Sequence, residues 1–264
     1  MKLKFASLLA GVVACGLVNS GLAAAAGAAE TAKPAMSDEA AGAIQNMSKT
    51  LLSKEFSFKA QTIRVYLGDQ GQPLHIFHTM NILVRRPDRA AADVNGDDGA
   101  TKLRMDGKTA SIFSVTKNQY ATLPVPSDLG SALDEVSAKA DTDFPLGDFL
   151  ADDPGAAVLS DVVAGWQVGT AMVDGIECRH LFFIQKGGIN LELWVDKTEQ
   201  ALLRRLIVTY LQLPGRPDFI AQFSDWNFNV HPSEADFVFQ PPAGATKIDL
   251  KQAVGGAQGQ GDGK

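Results

Sequence analysis

Between residues 56 and 228 the chain consists largely of short segments in which apolar and polar residues alternate, and this period of two constrains the fold more than any other feature. Successive residues of a strand point to opposite faces, so alternation means one face is buried and the other is wet. Phe56, Phe58 and Ala60 fall on one side, with Ser57, Lys59 and Gln61 on the other. The longest segment is 74–86: Leu74, Ile76, His78, Met80, Ile82 and Val84 share a face, while His75, Thr79, Asn81 and Arg85 lie opposite. Shorter strands are read at 89–94, 101–106, 109–115 and 119–123, with turn residues such as Gly96-Asp97-Asp98-Gly99 between them. A second block holds strands at 166–173, 175–185, 189–196, 201–211 and 219–228, and a short last strand is expected at 236–239. Strands this close in sequence form an antiparallel meander.

Helical spacing appears in two places. Residues 37–54 repeat Ile44, Met47 and Leu51, with Ser37 placed to cap and Asp38 and Glu39 suited to the positive helix end. Residues 127–139 follow a cap at Ser127 or Asp128, and further helical turns are read at 144–150 and 154–163, where Pro154 suits a first helical position. No Pro/Gly linker divides the two β blocks. The expectation is one α+β domain over residues 37–250, with helices covering one face of a long antiparallel sheet.

The ends read differently. Lys2 and Lys4, an apolar run over 5–18 and small residues up to Ala29 have the order of a secretory signal, with cleavage near Ala26. Residues 1–25 are therefore read as a signal peptide, 26–36 as a flexible lead and 251–264 as a disordered tail. Val12-Val13-Ala14-Cys15 also fits a permissive lipobox, which would anchor the chain through Cys15. Export implies a periplasmic protein without a later membrane span, and removal of the signal leaves Cys178 as the one cysteine. The formal charge of −6, with no long basic run, argues against nucleic-acid partners.

Chemistry-bearing motifs are scarce. The nucleophile elbow, the phosphate-binding glycine loop, the zinc-protease helix and the dinucleotide fingerprint are absent from the sequence. Cys178 and His180 share a strand face, but a lone strand cysteine reads first as a small packing residue. His75 and His78 point oppositely on a strand and His231 is isolated. Asp152-Asp153 and the Asp141/Asp143 pair read as turn and cap residues. No catalytic group, cofactor or metal is expected.

What remains is the apolar face. Ile189, Leu191, Leu193 and Val195 lie on one side of their strand, opposite Asn190, Glu192, Trp194 and Asp196. Buried under helices, such a face is either a filled core or the wall of an apolar cavity. Burial of ligand surface yields about 25 cal/mol per Å², so an acyl chain could be held without any catalytic group.

Several runs carry a resemblance: Leu191-Glu192-Leu193-Trp194-Val195-Asp196 with Leu203-Arg204-Arg205-Leu206; Gly175-Ile176-Glu177-Cys178-Arg179-His180-Leu181; Phe223-Ser224-Asp225-Trp226-Asn227-Phe228; and the closing Phe237-Val238-Phe239-Gln240-Pro241-Pro242-Ala243-Gly244-Ala245. The chain resembles a family of predicted periplasmic proteins of unknown function within the LolA/LolB-like superfamily of outer-membrane lipoprotein carriers. The resemblance implies an open half-barrel of antiparallel strands whose concave apolar face is closed by helices, and a lipidic or acylated ligand. Its lining would include Phe56, Phe58, Ile82, Val84, Leu191 and Leu193. The carriers use an arginine to link strand and helical lid, for which Arg64 and Arg85 are the candidates. The alternative is a structural or interaction module with a filled core, meeting an envelope protein through a sheet edge or the Trp226 region.

Overall fold

The structure, a computed structural model, describes residues 36–142 and 144–251. The segment read as a signal peptide, most of that read as a lead, nearly all of that read as a tail, and Asp143 lie outside the described residues. Helix α1 (Asp38–Leu51) is followed by a first run of strands, β1 (Glu55–Leu67), β2 (Pro73–Arg85), β3 (Arg89–Gly96), β4 (Gly99–Asp106), β5 (Thr109–Ser114) and β6 (Gln119–Pro124). The helical insert holds α2 (Leu129–Ala140), a 3-10 turn at Gly147–Leu150 and α3 (Pro154–Val158). The second run is β7 (Val162–Val173), β8 (Ile176–Gln185), β9 (Ile189–Asp196), β10 (Leu203–Tyr210) and β11 (Asp218–Asn227), and β12 (Thr246–Lys247) ends the set.

All twelve strands form one sheet in the order β12-β6-β5-β4-β3-β2-β1-β11-β10-β9-β8-β7. The two meanders join where β1 pairs antiparallel with β11, and β12 lies parallel to β6 at one edge. The sheet is curved and does not close, since β7 and β12 remain its two edges. The caps are those the sequence suggests: Ser37 Oγ accepts from Ala40 N–H at 3.2 Å, and of the two candidates for α2 it is Asp128 that accepts, from Ser131 N–H at 2.8 Å.

One face of the sheet carries a continuous apolar core, from Met105 and Ile112 through Phe56, Phe58, Ile82 and Val84 to Leu181, Phe183, Leu191, Leu193 and Leu206, with α1, α2, the 3-10 turn and α3 packed on it. The helices are short, and the sheet has to curve for them to reach strands this far apart. A local irregularity serves the same face. Asp225 has φ +52°, and the β1–β11 register shifts there between Ser57 and Lys59. This bulge returns Trp226 to the side of Phe223, where its ring stacks on Phe58 at 4.5 Å and its Nε1 donates to Leu203 O at 3.1 Å.

The opposite face is not bare. The strand expected at 236–239 does not form. Instead a 3-10 turn at Glu234–Asp236 starts a strap across the outer face: Phe237 is fully buried with Arg85 over its ring, and Phe239 packs on Phe113 and Tyr120. The alternation predicting a strand there was real, but its apolar residues meet side chains of the sheet rather than a backbone ladder. A second outer cluster joins Val173, Cys178 and Trp194. Beside it Asp196 is completely buried and accepts from Thr198 N–H and hydroxyl, Leu202 N–H and both Nε and Nη2 of Arg204. That carboxylate pins the β9–β10 turn, which is why the Val195-Asp196 and Arg204-Arg205 runs belong together.

Candidate functional site: the covered trough and its helical lid

The six residues read from the sequence as lining candidates all lie on the helix-covered face. Phe56 and Phe58 on β1 pair across the ladder with Val84 and Ile82 on β2, and Leu191 and Leu193 stand on β9. All six are buried within the same core. Above β1 the trough is aromatic: Phe56, Phe58, Phe223, Trp226 and Phe228 form one ring cluster, with Phe58 and Trp226 stacked at 4.5 Å and Phe58 and Phe223 tilted at 5.8 Å, and Phe149 of the 3-10 turn meets Phe223 at 6.4 Å.

The helical layer is fastened to the sheet at more than one point: Ser37 N–H donates to Gly165 O of β7 at 2.8 Å, and the densest set of bonds comes from one arginine. Arg86, just past β2, donates from Nε to Leu51 O at 2.9 Å and from Nη1 to Leu150 O at 3.0 Å and Ala151 O at 2.8 Å, with Nη2 reaching Phe149 O at 3.5 Å. A single guanidinium thus ties the end of α1 and the 3-10 turn to the sheet. Burial lowers its pKa from the usual arginine value, and the charge of Asp152 opposes that shift. Close by, Leu129 N–H donates to Pro87 O at 3.0 Å, and Ser48 Oγ of α1 accepts from Gly155 N–H of α3 at 2.9 Å. Neither arginine named from the sequence has this place. Arg85 points to the outer face, where it and Arg89 hold Glu234 of the strap. Arg64 lies over the ring of Phe219. Adjacent residues of a strand face oppositely, so Arg85 serves the strap and Arg86 the helices.

At the far side the layer meets the sheet more loosely. A pocket of about 60 Å³ opens between the insert and β8–β10, lined by Pro145, Ala157, Gln185, Leu191, Val208 and Tyr210 among others. It is smaller than the roughly 150 Å³ that accommodates a benzene. Gln185 Nε2 bridges this seam, donating to Val158 O at 3.3 Å and Ser160 O at 3.2 Å. A wider depression of about 310 Å³ touches Phe58 and Ile82 but lies among the outer-face groups Ser57, Lys59, Asn81, Asp93, Arg104 and Asp236.

The remaining candidates are structural. Cys178 is fully buried; burial raises its thiol pKa and the Asp196 charge raises it further, both of which disfavour a reactive thiolate. His180 bonds Glu192 at 2.7 Å and stacks on Trp194 at 4.1 Å. His78 bonds Asp98 at 2.8 Å, and His231 lies 3.7 Å from Glu55. Asp153 caps α3 through Ala156 N–H at 2.9 Å, and Asp141 ends α2 in the left-handed region. Among the described residues no cluster of His, Cys, Asp and Glu has metal-site geometry, and no helix is long and apolar enough to cross a membrane.

The chain belongs to the family described as predicted periplasmic protein (DUF2092), whose model matches residues 40–251. No curated protein matches it. Solved structures of similar outline include an uncharacterized conserved protein from Thermus thermophilus, with 10% identity, TM-score 0.48 and coverage of 79% of this chain and 98% of that one. The Mycobacterium tuberculosis lipoprotein LppX is similar at 18% identity and TM-score 0.46, covering 74% and 99%. A LolA superfamily protein from Nitrosomonas europaea is similar at 10% identity and TM-score 0.36, covering 74% and 97%.

Proposed function

We propose that this member of the periplasmic family is a non-catalytic binding or carrier protein for a lipidic or acylated ligand. The apolar part of the ligand would lie between the curved sheet and its helices, against Phe56, Phe58, Ile82, Val84, Leu191 and Leu193. The observation that supports this most is the opening beside Leu191 at the seam between the helical insert and β8–β10, which Gln185 bridges. The layer is held to the sheet by Arg86 and by Ser37 N–H donating to Gly165 O, not by strand pairing within the ladder, so parting this seam would leave the ladder intact. An eighteen-carbon chain would bury a few hundred Å² of hydrocarbon, worth about 25 cal/mol per Å², which is the driving force set against the cost of parting the seam.

The test is solvent extraction of protein purified from a bacterial periplasm, with mass spectrometry of the extract, beside titration with a fluorescent fatty acid. Co-purified lipid or saturable uptake supports the reading; absence of both overturns it. A second reading, an envelope interaction module, is favoured by β7. This twelve-residue edge carries no charged residue and exposes Trp166, Val168 and Met172. Met36 and Ser37 occupy this edge at Gly165; free edges are ordinarily blunted by charge, so its uncharged remainder invites strand pairing with another protein. Co-purification of one protein, lost on placing lysine at Val168, would support it.

A further inference from the structure

Inward-facing residues of β1 change character along the strand. Phe56, Phe58 and Ala60 are followed by Thr62, then Arg64 and Tyr66. Thr62 is 1% exposed, yet its hydroxyl oxygen has no hydrogen-bond partner. Its ladder neighbours do not supply one: His78 on β2 is bonded to Asp98, and Ala221 on β11 has no polar side chain. Buried polar groups are nearly always paired, and an orphan hydroxyl in an apolar trough costs stability until something accepts from it. Ala60 and Ala221 beside it are small and buried, so the hydroxyl is flanked by side chains that offer it no polar atom.

We propose that Thr62 is a positioning residue that donates to the carbonyl of an ester- or amide-linked acyl chain. Its hydrocarbon would run under the helices toward Phe56 and Phe58, and its polar end toward Arg64 and Tyr66. This rests on the carrier reading and narrows it: the ligand is an acyl amphiphile rather than a bare hydrocarbon or an ether lipid. The order of side chains along β1 matches such a molecule end to end, with aromatic rings for the tail, a hydroxyl for the linkage and a cation with a phenol for the head.

The probes are 1-octanoylglycerol and 1-O-octylglycerol, of closely similar chain length, one with a carbonyl and one without. Both are titrated calorimetrically into the purified full chain. The wild type is expected to prefer the ester by about tenfold, equivalent to about 1.4 kcal/mol, the scale of one relieved buried donor. Thr62→Val keeps the β-branched shape; it should reduce the preference to within about twofold while ether binding stays unchanged, and Thr62→Ser should restore it. Equal binding of ester and ether by wild type overturns the assignment and leaves the carrier reading standing, as does a preference that persists in Thr62→Val. Binding of neither probe by wild type overturns this assignment, and the carrier reading falls with it where co-purified lipid and fatty-acid uptake are absent as well. The wild-type comparison decides the matter even if the valine variant does not fold.

Discussion

Arg86→Met should release the helical layer while leaving the sheet intact. Methionine approximates the aliphatic stem and removes the guanidinium, so the loss falls on polar bonds rather than on packing. Three carbonyls, of Leu51, Leu150 and Ala151, lie within 3.0 Å of the guanidinium, and the longer contact to Phe149 adds little. A hydrogen bond from a charged donor contributes about 1.5–3 kcal/mol net, but bonds sharing one side chain are not additive, and desolvation of the guanidinium offsets part of the gain. About 3 kcal/mol is therefore expected, raising the open population of the layer about 150-fold at about 1.4 kcal/mol per decade. Hydrogen exchange followed by mass spectrometry checks this. Amides of α1 and α2 should exchange about two orders of magnitude faster, whereas β1, β2 and β11 keep their protection. Arg86→Lys should recover only part of the effect, because an ammonium lacks the fork that reaches several carbonyls at once. Equal acceleration in helices and central strands would show that Arg86 holds the whole fold rather than a lid; no acceleration would show that apolar packing alone closes the trough.

Other outcomes can be stated briefly. In a Cys15→Ser background, Cys178 should be inert to Ellman's reagent at pH 8 and react on unfolding in guanidinium; rapid reaction of native protein would contradict its burial. Because its folded pKa is raised, the protonated thiol favours the native state below the unfolded pKa, and that contribution is lost as pH rises through the folded value. The alkaline stability slope should therefore be shallower in Cys178→Ala, as read by melts across pH 8–11. Asp196→Asn leaves Arg204 without its buried counter-charge and should cost about 3–5 kcal/mol in denaturant unfolding. Phe237→Ala empties the site under the strap and should cost about 3–5 kcal/mol, with faster exchange over β2–β5 than over β8–β10.

Much of the trough was legible in the sequence because a strand with one buried face writes that face into every second residue. Phe56, Phe58, Ile82, Val84, Leu191 and Leu193 were assigned to one apolar layer on that ground, and the structure brings them into one core. The lid arginine was misassigned. The alternation that puts Arg85 opposite Ile82 and Val84 carries Arg86 to their side, and the pairing of Val84 with Phe56 shows that this side looks toward the helices. Residues 236–239 were misread, since Phe237 and Phe239 alternate as a strand does and their partners lie on distant strands.

The sequence by itself determined most of the strands, the buried face of each and the two main helical pieces, because these follow from periods and caps within a dozen residues. Tertiary structure alone decided that β1 and β11 join the two meanders, that one face becomes the covered trough and the other carries a strap, and that Thr62 is sealed from water without a partner. Those outcomes depend on contacts between residues up to about 170 positions apart, as in the pairing of Ser57 with Asn227, and a period of two records that a face is buried without recording what buries it.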